Sequence, residues 1–155
     1  MSVSLIIVNY NTKTHLQSCL QAVAQYFATA VETIVVDNNS KDGSQAMVRA
    51  QYPQVKLIES GVNLGFGMGN NVGVQHATQD YIMLLNSDAI LQSDTVSALH
   101  HYLQAHPEVS CVTPRVVLPD TTTIQPKTFG FKPSFRTVLM QSMGLNQLFA
   151  KCNLF

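Results

Sequence analysis

The sequence predicts an α/β protein, a doubly wound, mostly parallel sheet with helices on both faces. Short apolar runs recur along the chain, a helix-length pattern separates most of them, and each run ends in a polar, turn-rich loop. The runs are residues 4–8, 32–36, 55–58 and 81–85. Each is too short for a helix, rich in Ile, Val and Leu, and nearly free of polar alternation, as expected of a strand buried on both faces. Strands alternating with helices build a parallel sheet, because parallel neighbours need a long crossover.

Taken in order, the first helix carries Leu16, Leu20, Val23 and Phe27 at three- and four-residue spacing, with Asn11 or Thr12 placed to cap its start. Residues 44–51 form a shorter helix that stops before Pro53. A third helix is expected over about 67–76 and a fourth over 94–105, ahead of Pro107. A fifth strand is expected over 109–117. Past Pro119 the texture changes: Pro126, Gly130 and Pro133 mark an irregular stretch, and 138–155 is apolar with hardly any charge. The chain therefore divides into an α/β domain, 1–120, and a further region, 121–155.

At 155 residues the chain can bury a substantial core. With 46% hydrophobic and 12% charged residues, it is not the composition of a disordered tail. Nine basic residues balance nine acidic ones, so no nucleic-acid partner is expected; that would call for a clustered basic excess. No apolar run reaches the roughly 18 residues that span a bilayer. The first strand begins without the basic region and cleavage site of a signal peptide. Cys19, Cys111 and Cys152 lie far apart, which reads as buried or free thiols in a reducing cytoplasm rather than a disulfide framework or zinc site. The apolar ending Asn153-Leu154-Phe155 reads as a truncation.

Ligands of an open parallel sheet bind beyond the carboxyl ends of its strands. Asn9-Tyr10-Asn11 follows the first run, and Asp37-Asn38-Asn39-Ser40-Lys41-Asp42-Gly43-Ser44 the second. Asn63-Leu64-Gly65-Phe66-Gly67-Met68-Gly69-Asn70-Asn71 follows the third and Asn86-Ser87-Asp88 the fourth. Four polar loops thus converge on one edge of the sheet. Taken singly, Asn-Asn-Ser and Asp-Gly are ordinary turn and capping residues. The glycines serve either a tight turn and close helix packing, or the approach of backbone N–H groups to a diphosphate. Asp88 is different. A carboxylate directly after a buried strand is costly unless it faces solvent, a cation or a partner. Mg²⁺ or Mn²⁺ suits one or two carboxylates together with phosphate oxygens and water.

These four motifs, in this order and spacing, resemble the inverting family-2 glycosyltransferases over about residues 2–120, and within them the rhamnosyltransferase-like branch. The resemblance implies the GT-A fold of nucleotide-diphospho-sugar transferases, a dTDP- or UDP-sugar donor and a divalent cation. It places Val8 and Tyr10 by the base and ribose and Asp37 and Asn38 at the base edge, with Asn9 and Ser40 also among the substrate-binding residues. Asn38 stands where many relatives carry a second Asp. Asn63, Gly65 and Gly67 would flank the nucleotide, with Asn70 and Asn71 opening the helix beneath it. Asn86-Ser87-Asp88 is similar to a DxD-type motif with its first acid replaced, leaving Asp88 as the direct carboxylate ligand.

The same resemblance implies a nucleotide-sugar donor, a glycan or lipid-linked glycan acceptor in surface polysaccharide biosynthesis, and a cytoplasmic location at the inner face of the membrane. Inverting transfer needs a carboxylate base for the acceptor hydroxyl. The family supplies it from a later segment, so no catalytic residue is assigned; Asp120, in a Pro-Asp-Thr turn of a hairpin, is not given the role. His15, His76, His100, His101 and His106 read as surface residues. Residues 121–155 would begin the acceptor side. The apolar stretch 138–155 reads as core packing, with a homodimer contact or a peripheral membrane contact as alternatives. A truncated, non-catalytic nucleotide-binding or interaction module of the same fold is the competing function. A nicotinamide-dependent oxidoreductase is disfavoured, because Asn9-Tyr10-Asn11-Thr12 stands where its glycine fingerprint belongs.

Overall fold

The computed structural model describes residues 2–27, 31–92, 94–118 and 123. Strand and helix alternate as β1 (Val3–Asn9), α1 (Lys13–Phe27), β2 (Glu32–Asp37), α2 (Ser44–Gln51), β3 (Lys56–Glu59), α3 (Gly65–Gln75), β4 (Tyr81–Asn86) and α4 (Thr95–Ala105). The strands are parallel, in the order β3-β2-β1-β4. The chain steps outward from β1 to β2 and β3, and α3 then carries it back across the sheet to β4. That reversal creates a switch point between β1 and β4, the kind of place where ligands of open parallel sheets bind. Register brings the loop origins level: Asn9 pairs with Asp37, and Val8 with Asn86.

Alternation along the strands sorts side chains to two faces. Leu5 and Ile7 of β1 and Val35 of β2 pack with Leu16, Leu20 and Val23 of α1, Met47 and Val48 of α2, and Val96 of α4. Val8, Ile34 and Val36 face the other way and take Val72 and Ala77 from α3 and its exit. The contact is close. A Cβ on Gly73 would stand 2.4 Å from Ile6 Cγ2, and one on Gly69 would stand 2.9 Å from Val8 Cγ1. These two glycines let the α3 backbone lie directly on β1.

Several expectations are corrected. Both faces of the fourth strand were expected to be buried, yet Ile82 and Leu84 of β4 are 42% and 52% exposed. The cause is that α3 lies over β1 and β2, leaving its side of β4 uncovered among the described residues. No strand forms over 109–116; Val117 makes an isolated bridge, and the Leu118 N–H donates to the Thr123 carbonyl at 2.8 Å. His100 is not a surface residue. It lies one turn from Val96 on the buried side of α4, its ring meeting Tyr81 edge-on at 4.8 Å. Two compact units divide the chain, Met1–Thr113 and Pro114–Phe155. The apolar stretch 138–155 and Asp120 lie outside the described residues.

The glycines of α3 generate a paired prediction. Gly73→Ala forces a methyl into Ile6, and overpacking of this kind lowers stability by roughly 1–3 kcal/mol. Gly67 has nothing within 4 Å of a built Cβ, so Gly67→Ala raises stability by up to about 1 kcal/mol through helix propensity. Urea denaturation of the two variants should show opposite signs.

Candidate functional site

At the carboxyl end of β2 stands a buried carboxylate. Asp37 is 1% exposed, and such a charge is tolerable only when hydrogen-bonded. Its Oδ1 accepts the Ser40 N–H and the Gln45 Nε2 amide, both at 2.8 Å, and its Oδ2 accepts the Asn9 Nδ2 amide at 2.8 Å. The second proton of that Asn9 amide goes to Ser40 Oγ at 3.0 Å, which also accepts the Asn11 N–H at 2.9 Å. The loops after β1 and β2 are thereby locked to one another. Asn11 and Asn39 adopt left-handed backbone angles, φ 54° and 66°, which asparagine tolerates better than other residues with a Cβ. The Asn11 carboxamide oxygen accepts the Lys41 N–H at 2.7 Å.

The loop after β4 is tied to the same assembly. Asn86 to Ala89 form a turn closed by the Ala89 N–H on the Asn86 carbonyl at 3.1 Å. Ser87 Oγ lies 3.0 Å from Thr12 Oγ1, which donates to Asn9 Oδ1 at 2.7 Å. Asp88 and Asn86 are exposed. The expected capping of α1 by Asn11 or Thr12 is corrected here. It is the Asp42 carboxylate that accepts the first helical N–H, from Lys13 at 2.7 Å, while its other oxygen takes the Ser44 N–H at the start of α2.

On the α3 side, Asn63 Oδ1 accepts the Gly65 N–H at 2.9 Å and shapes the turn into the helix, where Gly65 takes φ 75°. Asn38 donates its amide to the Gly65 carbonyl at 3.1 Å. The Oδ1 atoms of Asn38 and Asn70 are buried and have no partner among the described residues. Two unmet acceptors so close to the glycine-rich helix start stand out, since buried polar atoms are nearly always paired. Gly65 and Gly67 are exposed and uncrowded. Packing therefore accounts for Gly69, and it does not account for Gly67.

The residues singled out from sequence fall into two groups. Tyr10, Asn63, Gly65, Gly67, Asn71, Asn86 and Asp88 are exposed, with Ser87 half-buried; Val8, Asn9, Asp37, Asn38, Ser40 and Asn70 are buried. Thr12, Gln45 and Asp42 were not singled out as site residues. A sequence signal existed only for Asp42, whose bond to Ser44 is a local turn contact. Its bond to Lys13 and that of Thr12 to Ser87 join segments 29 and 75 residues apart that only folding brings together.

Burial pushes the Cys19 thiol up to about 12, and the negative charge of Asp88 adds to this. Cys19 should therefore resist iodoacetamide at neutral pH in the folded chain, while exposed Cys111 reacts; mass spectrometry of partly labelled protein reads the order. Burial also raises the Asp42 carboxyl, but bonds from the Ser44 hydroxyl and the Lys13 and Ser44 N–H groups outweigh it and hold it below the ordinary 3.8. A carboxyl lowered on folding stabilises the fold above its unfolded value, and that contribution fades as pH falls through the folded one. Asp42→Asn should flatten the loss of stability below about pH 4, measured by thermal melts across an acid series.

Known proteins resemble this chain in sequence and in fold. The family profile "Glycosyl transferase family 2" matches residues 4–154. Glycosyltransferase GlyG of Streptococcus pneumoniae is 26% identical over 105 residues, which cover 66% of this chain and 35% of that protein. The N-acetylglucosaminyl-diphospho-decaprenol L-rhamnosyltransferase of Mycobacterium tuberculosis is 24% identical over 127 residues, 75% of this chain and 41% of that protein. Mannosyltransferase PcManGT from Pyrobaculum calidifontis, solved in complex with GDP-Man and Mn²⁺, matches with a TM-score of 0.64 at 27% identity, covering 73% of this chain and 36% of that one. The chain thus spans 35% and 41% of the length of these two curated relatives. With a family match over nearly its whole length and a fold shared with GT-A transferases, the chain belongs to glycosyltransferase family 2.

Proposed function

We propose that residues 1–120 bind a nucleotide-diphosphate sugar, a dTDP- or UDP-sugar, at the carboxyl edge of the sheet. The protein transfers the sugar with inversion to a glycan or lipid-linked glycan acceptor at the inner face of the membrane. One observation carries this reading: the loops after β1, β2 and β4 are hydrogen-bonded to one another at the carboxyl edge of the sheet, the start of α3 joins them through Asn38, and the exposed carboxylate of Asp88 stands at the end of β4. The pneumococcal and mycobacterial relatives are named as sugar transferases, and the archaeal neighbour is titled as a complex with GDP-Man and Mn²⁺. Among the described residues no helix is long and apolar enough to cross a membrane.

The exposed residues would make the direct contacts. Tyr10 offers its ring to the base, and Gly65 and Gly67 let a diphosphate approach the backbone at the start of α3. Asp37, both of whose oxygens are engaged within the protein, acts by fixing these loops. Residues 121–155 open the acceptor side, and the base comes from beyond the described residues.

A divalent cation fits this donor set. Among the described residues no three His, Cys, Asp or Glu side chains converge; Asp88 would supply a carboxylate, with diphosphate oxygens and water filling further positions. Such a cation would offset the charge that develops on the departing diphosphate.

Calorimetric titration of the chain with dTDP and UDP, in Mn²⁺ or in excess chelator, tests the reading. Binding tighter in Mn²⁺ than in chelator is expected, with the Mn²⁺-supported affinity weakened at least about tenfold by Asp88→Ala, since the metal–carboxylate contact is lost. A folded chain that binds neither nucleotide overturns it. Sugar transfer by the chain would eliminate the alternative of a non-catalytic binding module.

A further inference from the structure

We propose that Thr12 is a positioning residue that ties the loops after β1 and β2 to the turn carrying Asp88, and thereby sets the geometry in which Asp88 meets its cation. The inference rests on the donor-site reading above, though half of its test does not. Thr12 stands directly before α1, where a threonine hydroxyl ordinarily accepts a helical N–H. Here it does not cap. Asp42, from another loop, takes the Lys13 N–H, and the Thr12 hydroxyl is turned toward β4.

The direction of each bond follows from proton bookkeeping. Thr12 has one hydroxyl proton, and Asn9 Oδ1 at 2.7 Å can only accept. The proton of the 3.0 Å contact between Thr12 and Ser87 must therefore come from Ser87. A one-way chain results: Ser87 donates to Thr12, Thr12 to Asn9, and Asn9 to the buried Asp37 carboxylate. Bonds aligned toward one charge polarise each other and strengthen together.

The chain crosses the switch point. β1 and β4 are paired through Val8 and Asn86, and beyond that pair the strands part. Among the described residues, Thr12 is the hydrogen-bond partner of the Ser87 hydroxyl, and Ser87 immediately precedes Asp88. The turn is held otherwise by its own Ala89–Asn86 bond and a weak Cys19 thiol contact at 3.8 Å to the Asn86 carbonyl. Removing the Thr12 hydroxyl would leave Ser87 and Asn9 each short of a partner and free the turn to move relative to β1.

Thr12→Val keeps the shape and deletes the hydroxyl, and Thr12→Ser restores it. Both are compared with wild type in the full 155-residue chain. Loss of thermal stability in Thr12→Val would accompany any role, so it is not the deciding measurement. The first readout is amide hydrogen exchange of Ala89 by NMR, which needs no ligand. Exchange about tenfold faster in Thr12→Val, as local opening becomes easier, with wild-type protection in Thr12→Ser, supports the tie. Unchanged Ala89 protection in Thr12→Val overturns it.

The second readout separates cation geometry from general damage. Thr12→Val should weaken Mn²⁺ binding at saturating dTDP about tenfold, the order of one lost hydrogen bond, while dTDP affinity in chelator stays within about twofold and Thr12→Ser recovers the Mn²⁺ affinity. Equal losses with and without cation would overturn the positioning role. If wild type binds no nucleotide, the donor-site reading fails, and Ala89 exchange still decides the tie.

Discussion

The structure around the switch point is organised by one buried charge. A carboxylate removed from water costs several kcal/mol unless donors replace its hydration. At Asp37 the replacement comes from Asn9 at the end of β1, Ser40 in the β2 loop and Gln45 in the first turns of α2. Each donor is in turn engaged elsewhere, so satisfying one carboxylate orders two loops and, through Thr12 and Ser87, reaches a third. A fully satisfied network of this sort rigidifies its surroundings, and a partly satisfied one would be worse than an apolar core. The loops over this edge of the sheet are polar because the charge beneath them has to be met.

The opposite face of the sheet is governed by distance rather than charge. α3 approaches β1 closely enough that the positions over Ile6 and Val8 must be glycine. That approach brings the start of α3 over the ends of β1 and β2, where Asn38 donates to the Gly65 carbonyl. Close backbone packing and the placement of the glycine-rich turn are therefore one feature. Its cost is that α3 cannot also cover β4, whose Ile82 and Leu84 remain exposed among the described residues.

A bound nucleotide would accordingly meet a surface made of two kinds of residue. Exposed groups such as Tyr10, Gly65, Gly67 and Asp88 are free to contact it. Buried ones, Asn9, Asp37 and Ser40, hold that surface in place through bonds already complete within the protein. Pre-organisation of this kind reduces the ordering cost of binding, and it explains why asparagine, serine and aspartate crowd a loop edge in a chain with only 12% charged residues.

Which layer a residue belongs to was only partly legible in the sequence. The four strands, the four helices and the edge bearing the polar loops could all be read from it, because apolar periodicity and strand-end chemistry are local: residues 44–51 were expected as a helix, and α2 runs Ser44–Gln51. The motif resemblance likewise pointed to the family that the profile match shows. The expected fifth strand did not form, since an apolar run such as 109–117 becomes a strand only where a partner edge accepts it. His100 looked like a surface residue, because a helix pattern does not say which side a neighbouring strand will cover. By itself the sequence determined the α/β alternation and the chemistry available at the strand ends. Only the tertiary structure decided that Asp37 turns inward, that Asp42 rather than Thr12 caps α1, and that the Thr12 hydroxyl meets Ser87. Those bonds join segments 28, 29 and 75 residues apart, and no local pattern encodes a distance that only the packing of the sheet creates.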